Sequence, residues 1–203
     1  MKIKAIIFDL YNTLIQAEEI SWKPYFQIIR KGEAQELKKS LLTRDYFSLE
    51  DLFEKYSIKK SKQIDELKNE IEKVLETARF FPETLKVLNR LREEDYLIGI
   101  ISNLSSAYKK PFFTLGLNQL VDYYIFSCEA GIKKPDKKIF KLMISALNIR
   151  SENALMIGDS LTSDYQGARN AGLNALLLDR ENKSDQKEKI ANLQEVFSFL
   201  KAL

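Results

Sequence analysis

The 203-residue chain contains no histidine, which removes serine–histidine triads and histidine metal sites outright. It has a single cysteine, Cys128, so it can form neither an intrachain disulfide nor a zinc cluster of cysteines. Cys128 follows the apolar residues Tyr124 to Phe126 and reads as a packing residue. Long apolar runs are missing as well. No segment reaches the ~18 apolar residues of a membrane span, and the first apolar stretch is interrupted by Asp9, so neither a span nor a signal peptide is expected. A cytoplasmic location is the matching expectation. Neither sign of charge dominates: 32 Lys and Arg stand against 29 Asp and Glu, a net charge of +3. That is too small to imply a nucleic-acid partner. There is no internal repeat and no low-complexity tract.

What is present is a globular composition, 45% hydrophobic, in a chain long enough for one good core and a smaller appendage. Ile3 to Phe8 is a short apolar run rich in β-branched residues, as expected of a strand buried on both faces. Such a strand delivers its last residues to the ligand crevice of an open parallel sheet. Asp9 sits there, either as a nucleophile or as the cap of the following turn. Later segments repeat the pattern. A strand over Tyr96 to Ile101 ends in Ser102-Asn103, and another over Ala154 to Ile157 ends in Gly158-Asp159-Ser160, with Asp164 one helical turn on. Between them lies Lys134-Pro135-Asp136, where Pro135 fits the start of a helix. These parts suffice for phosphoryl transfer to a carboxylate: Asp9 as nucleophile, Asp159 to help hold a divalent cation, Ser102 and Lys134 to bind phosphoryl oxygens.

Residues 1–15 and 81–203 read as one α/β unit. Helices are expected near Pro82 to Glu93, Ala107 to Leu115, Asp136 to Leu147, Thr162 to Ala171 and Asn192 to Leu200. They alternate with strands, the last over Asn174 to Leu178. That alternation means a parallel sheet with helices on both faces. Asn182 to Lys189 is charged and expected to be mobile. The interposed 16–80 reads as all helix, near Trp22 to Lys31, Glu33 to Leu42, Leu49 to Tyr56 and Lys62 to Arg79. In the last, Ile64, Leu67, Ile71, Val74 and Leu75 recur at helical spacing. Residues 16–80 hold 13 basic and 13 acidic side chains, so no polyanion preference follows. Trp22, Tyr25, Phe26, Tyr46 and Phe47 either line a pocket or, as is usual in a small bundle, form its core. Arg30 and Arg44 are weak candidates for meeting a substrate anion.

Four segments in order resemble the haloacid dehalogenase superfamily, most of whose members are magnesium-dependent phosphatases. Phe8-Asp9-Leu10-Tyr11-Asn12-Thr13-Leu14 is similar to its first motif and Ser102-Asn103 to its second. The run from Ser127 through Lys134-Pro135-Asp136 to Phe140 is similar to its third, and Gly158-Asp159 through Asp164 to Gly172 to its fourth. The resemblance covers Lys2 to about Arg180. It implies an α/β, Rossmann-like parallel-sheet core, 1–15 and 81–203, with an inserted all-helical cap, 16–80, that closes over the site. It also implies a hydrolase of small phosphorylated metabolites, a monomer or homodimer, working through an aspartyl-phosphate on Asp9. Mg²⁺ would be held by Asp9, the Tyr11 main-chain carbonyl and Asp159, with Asp164 ligating through water or orienting Lys134. Thr13, Ser102 and main-chain amides around Asn12 and Asn103 would bind the phosphoryl group.

One position departs from the phosphatase pattern. Two residues after the nucleophile these enzymes usually carry a second aspartate as general acid and base; here it is Tyr11. A phenol of ordinary pKa about 10 can donate a proton but is a poor base. Tyrosine is what the metal-free 2-haloacid dehalogenases carry, so that activity is the alternative, together with a weakly active member that binds a phosphorylated ligand. The dehalogenase fourth motif, however, would place serine where Asp159 stands and asparagine where Leu161 stands. A second carboxylate facing Asp9 suits a magnesium site and would repel an anionic substrate without one.

Overall fold

The computed structural model describes residues 2–18, 23–27, 32–46, 49–58 and 62–202. Strand β1 (Ala5–Phe8) runs into a tight loop and the two-residue strand β2 (Ile15–Gln16). Four helices follow: α1 (Lys23–Gln27), α2 (Ala34–Thr43), α3 (Leu49–Lys55) and α4 (Lys62–Thr77). The chain returns in β3 (Arg79–Phe80), antiparallel to β2 with Ile15 opposite Phe80. Then come α5 (Thr84–Glu93), β4 (Leu97–Ser102), α6 (Lys110–Thr114), β5 (Tyr123–Phe126), α7 (Ser127–Ala130) and α8 (Lys137–Ala146). The chain finishes through β6 (Ala154–Gly158), α9 (Gly167–Asn170), β7 (Asn174–Leu178), β8 (Lys189–Ile190) and α10 (Val196–Lys201).

Six of these strands form one parallel sheet in the order β5-β4-β1-β6-β7-β8. All four residues of β1 are fully buried, as its unbroken apolar run requires of a central strand covered on both faces. Alternate side chains feed two cores. Ile6, Phe8, Ile98, Ile100, Leu155 and Ile157 point to one, and Ala5, Ile7, Ile101, Ala154 and Met156 to the other, the period of two inherent in a strand. The first core is continuous with the buried faces of the helical excursion, where Leu37, Leu41, Leu52, Ile64, Leu67, Ile71 and Val74 join it. Each fully buried Leu or Ile contributes on the order of 1.5–3 kcal/mol. The apolar spacing of α4 is therefore what fastens it into that core. From β1 the chain builds outward to β4 and β5, then crosses to β6 on the other side. The strand order thus reverses at β1, and the crevice at such a reversal is where open α/β sheets bind ligands.

The structure departs from the sequence reading in three places. Helix α4 stops at Thr77, whose hydroxyl bonds the Lys73 carbonyl at 2.7 Å; Arg79–Phe80 is instead a strand. The helix expected from Thr162 opens as a wide turn over Leu161–Gln166, in which the Asp164 and Tyr165 amides both donate to the Ser160 carbonyl. The span from Asn182 to Lys189 is not loose. Asp179 accepts from the Lys183 and Ser184 amides at 3.0 and 2.8 Å, and Lys189 begins the sixth strand. Trp22, Arg30 and Phe47 lie outside the described residues. Tyr25 is fully buried, Phe26 is 37% exposed, and Arg44 is exposed at the end of α2. Cys128 is buried, and its burial pushes the thiol up to about 11, which leaves it inert. Among the described residues no helix is long and apolar enough to cross a membrane.

Candidate active site

Asp9 leaves the end of β1 with its amide bonded to the Ile157 carbonyl at 2.9 Å and the residue only 8% exposed. The loop beyond it is tight. Asn12 takes a left-handed backbone, φ 61°, which asparagine tolerates better than most residues. The Leu14 and Ile15 amides both return to the Leu10 carbonyl, at 2.9 and 3.0 Å. Lys134 reaches Asp9 from the loop between α7 and α8. Its buried ammonium sits 2.6 Å from Asp9 Oδ1, 2.6 Å from Asp164 Oδ1 and 2.6 Å from the Ile101 carbonyl. It donates hydrogen bonds to Asp9 and to the Ile101 carbonyl and is ion-paired with Asp164.

Asn103 holds Lys134 from behind. Its Oδ1 accepts from the Lys134 amide at 2.8 Å and its Nδ2 donates to the Lys134 carbonyl at 2.9 Å. This clamp joins the second and third motifs through backbone. Asp136 then caps α8 by accepting from the Lys138 amide at 2.9 Å.

Asp164 is 1% exposed and accepts from the Ser160 amide at 3.0 Å. A Cβ at position 158 would lie 2.3 Å from Asp164 Oδ2. Glycine is therefore required there for the wide turn to swing Asp164 back toward Lys134. Asp159, beside it, opens onto a cleft lined by Asn12, Phe81 and Arg180. Ligand oxygens of Asp9, Asp159 and Asp164 all lie within 4.8 Å of one another.

Three carboxylates thus face one ammonium, an excess of negative charge in a poorly hydrated site. The electrostatics record it. Burial, opposed by Lys134 and assisted by Asp164 and Asp159, pushes the Asp9 carboxyl up to about 7. Crowding by protein and the neighbouring Asp164 raise Asp159 above the usual carboxylate range. Burial works against the charge of Lys134, but Asp164 and Asp9 hold it protonated, above its ordinary value. An all-oxygen donor set with surplus negative charge is what a hard divalent cation requires.

The remaining predicted residues fall around this cluster. Ser102 ends β4 and is 2% exposed. Thr13 is fully buried, and its hydroxyl has no hydrogen-bond partner among the described residues; a buried orphan of that kind calls for an explanation. Tyr11 donates its phenol proton to the Tyr108 carbonyl at 2.9 Å, and burial raises it above an ordinary tyrosine. In this arrangement that proton is already committed to the backbone. Sequence reasoning missed Arg180. Its guanidinium bonds Glu83 at 2.7 Å and the Thr13 carbonyl at 3.0 Å, and it stacks 3.6 Å over Phe81. It ties the end of β7 to the Asp9 loop and to the return of the helical excursion. The only local signal was a cation two residues after a strand.

Residues 6–178 match the family of haloacid dehalogenase-like hydrolases, and the chain belongs to it. It is a hydrolase. Within that family its relatives include glyceraldehyde 3-phosphate phosphatase of Pyrococcus furiosus, 28% identical over 194 residues that cover 85% of this chain and 79% of the relative. Phosphoserine phosphatase of Thermus thermophilus is 28% identical over 123 residues, 58% of this chain and 49% of the relative. A haloacid dehalogenase-type phosphatase from Thermococcus onnurineus has a solved structure that matches with TM-score 0.69 and 25% identity, covering 98% of both chains. A 2-haloacid dehalogenase from Pseudomonas syringae matches with TM-score 0.70 at 21% identity, covering 98% of this chain and 99% of that one; that likeness is one of fold.

Proposed function

We propose that this hydrolase is a Mg²⁺-dependent phosphomonoesterase of small phosphorylated metabolites, with residues 16–80 as a cap over a core formed by 1–15 and 81–203. The observation that carries the reading is the cluster of Asp9, Asp159 and Asp164 beside one buried lysine. Relatives named as phosphatases support it. Asp9, Asp159 and the Tyr11 main-chain carbonyl would hold the cation, with Asp164 ligating through water while it orients Lys134. When bound, Mg²⁺ supplies a Lewis acid that neutralises phosphoryl oxygens and keeps the carboxylates ionised.

The chain's own residues do the rest. Lys134 holds Asp9 Oδ1, leaving Oδ2 to attack phosphorus. The P–O bond to the substrate oxygen breaks, and that oxygen takes its proton from solvent, since the Tyr11 phenol is engaged with Tyr108. The Thr13 and Ser102 hydroxyls, with the amides near Asn12 and Asn103, bind the phosphoryl oxygens. Water then attacks phosphorus, expels Asp9 as a carboxylate and releases phosphate. Without a positioned acid and base the reaction forgoes ~10² to 10⁴ in rate, so turnover of poor leaving groups is slow.

Tyr11 keeps a second reading in view, metal-free dehalogenation. Phosphate release from glycerol phosphate and chloride release from 2-chloropropionate, each measured with Mg²⁺ and with chelator, decide between them. Phosphate release with Mg²⁺ alone is expected. Chloride release in chelator would overturn the phosphatase reading.

A further inference from the structure

The loop from Asp9 to Ile15 is held by groups from within and from two distant segments. Main-chain amides meet most of its carbonyls: Leu14 and Ile15 donate to Leu10, Asn12 donates to Ile15, and Phe81 donates to Leu14 at 3.2 Å. The buried Thr84 hydroxyl adds a second donor to the Leu14 carbonyl at 2.7 Å. Thr13 is held differently. Among the described residues its carbonyl is met by Arg180, 167 positions away, at 3.0 Å.

Arg180 is itself fixed at both ends. The amide of Asp179, its neighbour, donates to the Ile190 carbonyl at 2.8 Å, so the side chain starts from a strand end that is paired. At the far end Nη1 donates to Glu83 Oε1 at 2.7 Å, Nη2 donates to the Thr13 carbonyl, and the guanidinium carbon lies 3.6 Å from the centre of the Phe81 ring. A planar fork can make two directed hydrogen bonds and stack at once, whereas a lysine ammonium is a point charge. The charge of Arg180 is matched by Glu83, whose side chain is 12% exposed. What Arg180 gives the loop is therefore geometry rather than a free positive charge.

The residue that it holds has an uncommitted hydroxyl. Thr13 is fully buried and its Oγ1 has no partner among the described residues. Asn12, just before it, sits in the left-handed region at φ 61°, a conformation that persists where the surroundings over-determine it. Resting on the phosphatase reading, we propose that Arg180 is a positioning residue: by holding the Thr13 carbonyl against Glu83 and Phe81, it fixes where the Thr13 hydroxyl and the neighbouring loop amides meet the phosphoryl group. Donors placed for the transition state are the ones most sensitive to such a hold.

The test compares Arg180→Ala and Arg180→Lys with the wild type at saturating Mg²⁺. Turnover is read on an aryl phosphate, with inorganic phosphate as a tetrahedral inhibitor and orthovanadate as a five-coordinate one. Because a misplacement of about 1 Å can cost ~10²-fold, kcat should fall roughly 10- to 100-fold in both variants. Orthovanadate inhibition should weaken by about the same factor, while KM and phosphate inhibition change little. A purely structural tie would lower the folded fraction and leave the ratio of vanadate to phosphate inhibition at its wild-type value. That unchanged ratio would overturn the proposal, and so would wild-type kcat in Arg180→Lys, since charge alone would then suffice. Should Arg180→Ala fail to fold, Arg180→Lys, which keeps the charge, carries the same comparison. Either of these results would leave the phosphatase reading standing, whereas absence of phosphate release by the wild type would overturn that reading and the proposal with it.

Discussion

Two regions of the molecule are built on opposite principles. Around Lys134 three carboxylates crowd one ammonium, and two of them lie 2.6 Å from it. Under α2 and α3 a small cavity has a wall of leucine and hydroxyl, with its charges displaced one layer outward. Burying charge is expensive unless it is paired or coordinates a metal. Under the proposed function the first region would hold a cation and a phosphoryl group, whereas the second has no charged side chain on its lining among the described residues. Substitutions in the first should change the reaction, and those beside the second should change little.

The largest effect is expected from Asp9→Asn, which removes the proposed nucleophile but leaves Lys134 paired with Asp164. Turnover should fall by roughly 10⁴-fold or more with the thermal midpoint little changed; near-wild-type rates would move the chemistry out of this region. Next is Tyr11→Asp, which restores a carboxyl two residues after the nucleophile. Its gain should be about 10²-fold for poor leaving groups such as glycerol phosphate, and small for aryl phosphates, which leave without a proton. Rates compared at saturating Mg²⁺ check this, and a uniform response would mean proton transfer does not limit turnover.

Asn103→Ala loosens the clamp on the Lys134 backbone. Two hydrogen bonds contribute about 0.5–1.5 kcal/mol each, so kcat should fall about tenfold while the preference among leaving groups stays fixed. A changed preference would mean that the clamp does more than hold Lys134. The smallest effect is expected from Lys109→Met, which breaks the pairs with Asp45 and Glu129 at the partly exposed rim of the neutral wall. Partly exposed pairs contribute about 0–1 kcal/mol and are screened by salt. The thermal midpoint should fall slightly at low ionic strength and converge with wild type at high salt.

Sequence order made the first region legible and left the second obscure. Asp9, Ser102 and Asp159 each follow an apolar strand, so the rule that strand ends feed the crevice finds them. Lys134 was placed by motif register alone. What the sequence hides is partnership across distance. Tyr11 finds its acceptor 97 residues away, Arg180 reaches Thr13 across 167, and the Asn103 clamp spans 31. No periodicity encodes such pairs. Strand β8 escaped because two residues within a charged segment carry no alternation. Asp164 was legible as an acid, but that it turns back onto Lys134 depends on Gly158 and a widened turn. In the helical segment the spacing of Ile64, Leu67, Ile71 and Val74 gave the buried face, whereas nothing in the pattern told pocket aromatics from core ones.

The central claim is that the carboxylate cluster is a divalent-cation site, and calorimetric titration of Mg²⁺ into the purified protein tests it without reference to turnover. One ion per chain is expected, with affinity at least tenfold weaker in Asp159→Asn. The cation must displace the proton that Asp9 holds with a pKa of about 7, so binding should weaken as pH falls from 8 to 6 and release more protons at the lower pH. Saturable binding that needs Asp159 and follows this pH trend is the predicted result. Binding unchanged in Asp159→Asn, or no binding at pH 8, would contradict the account.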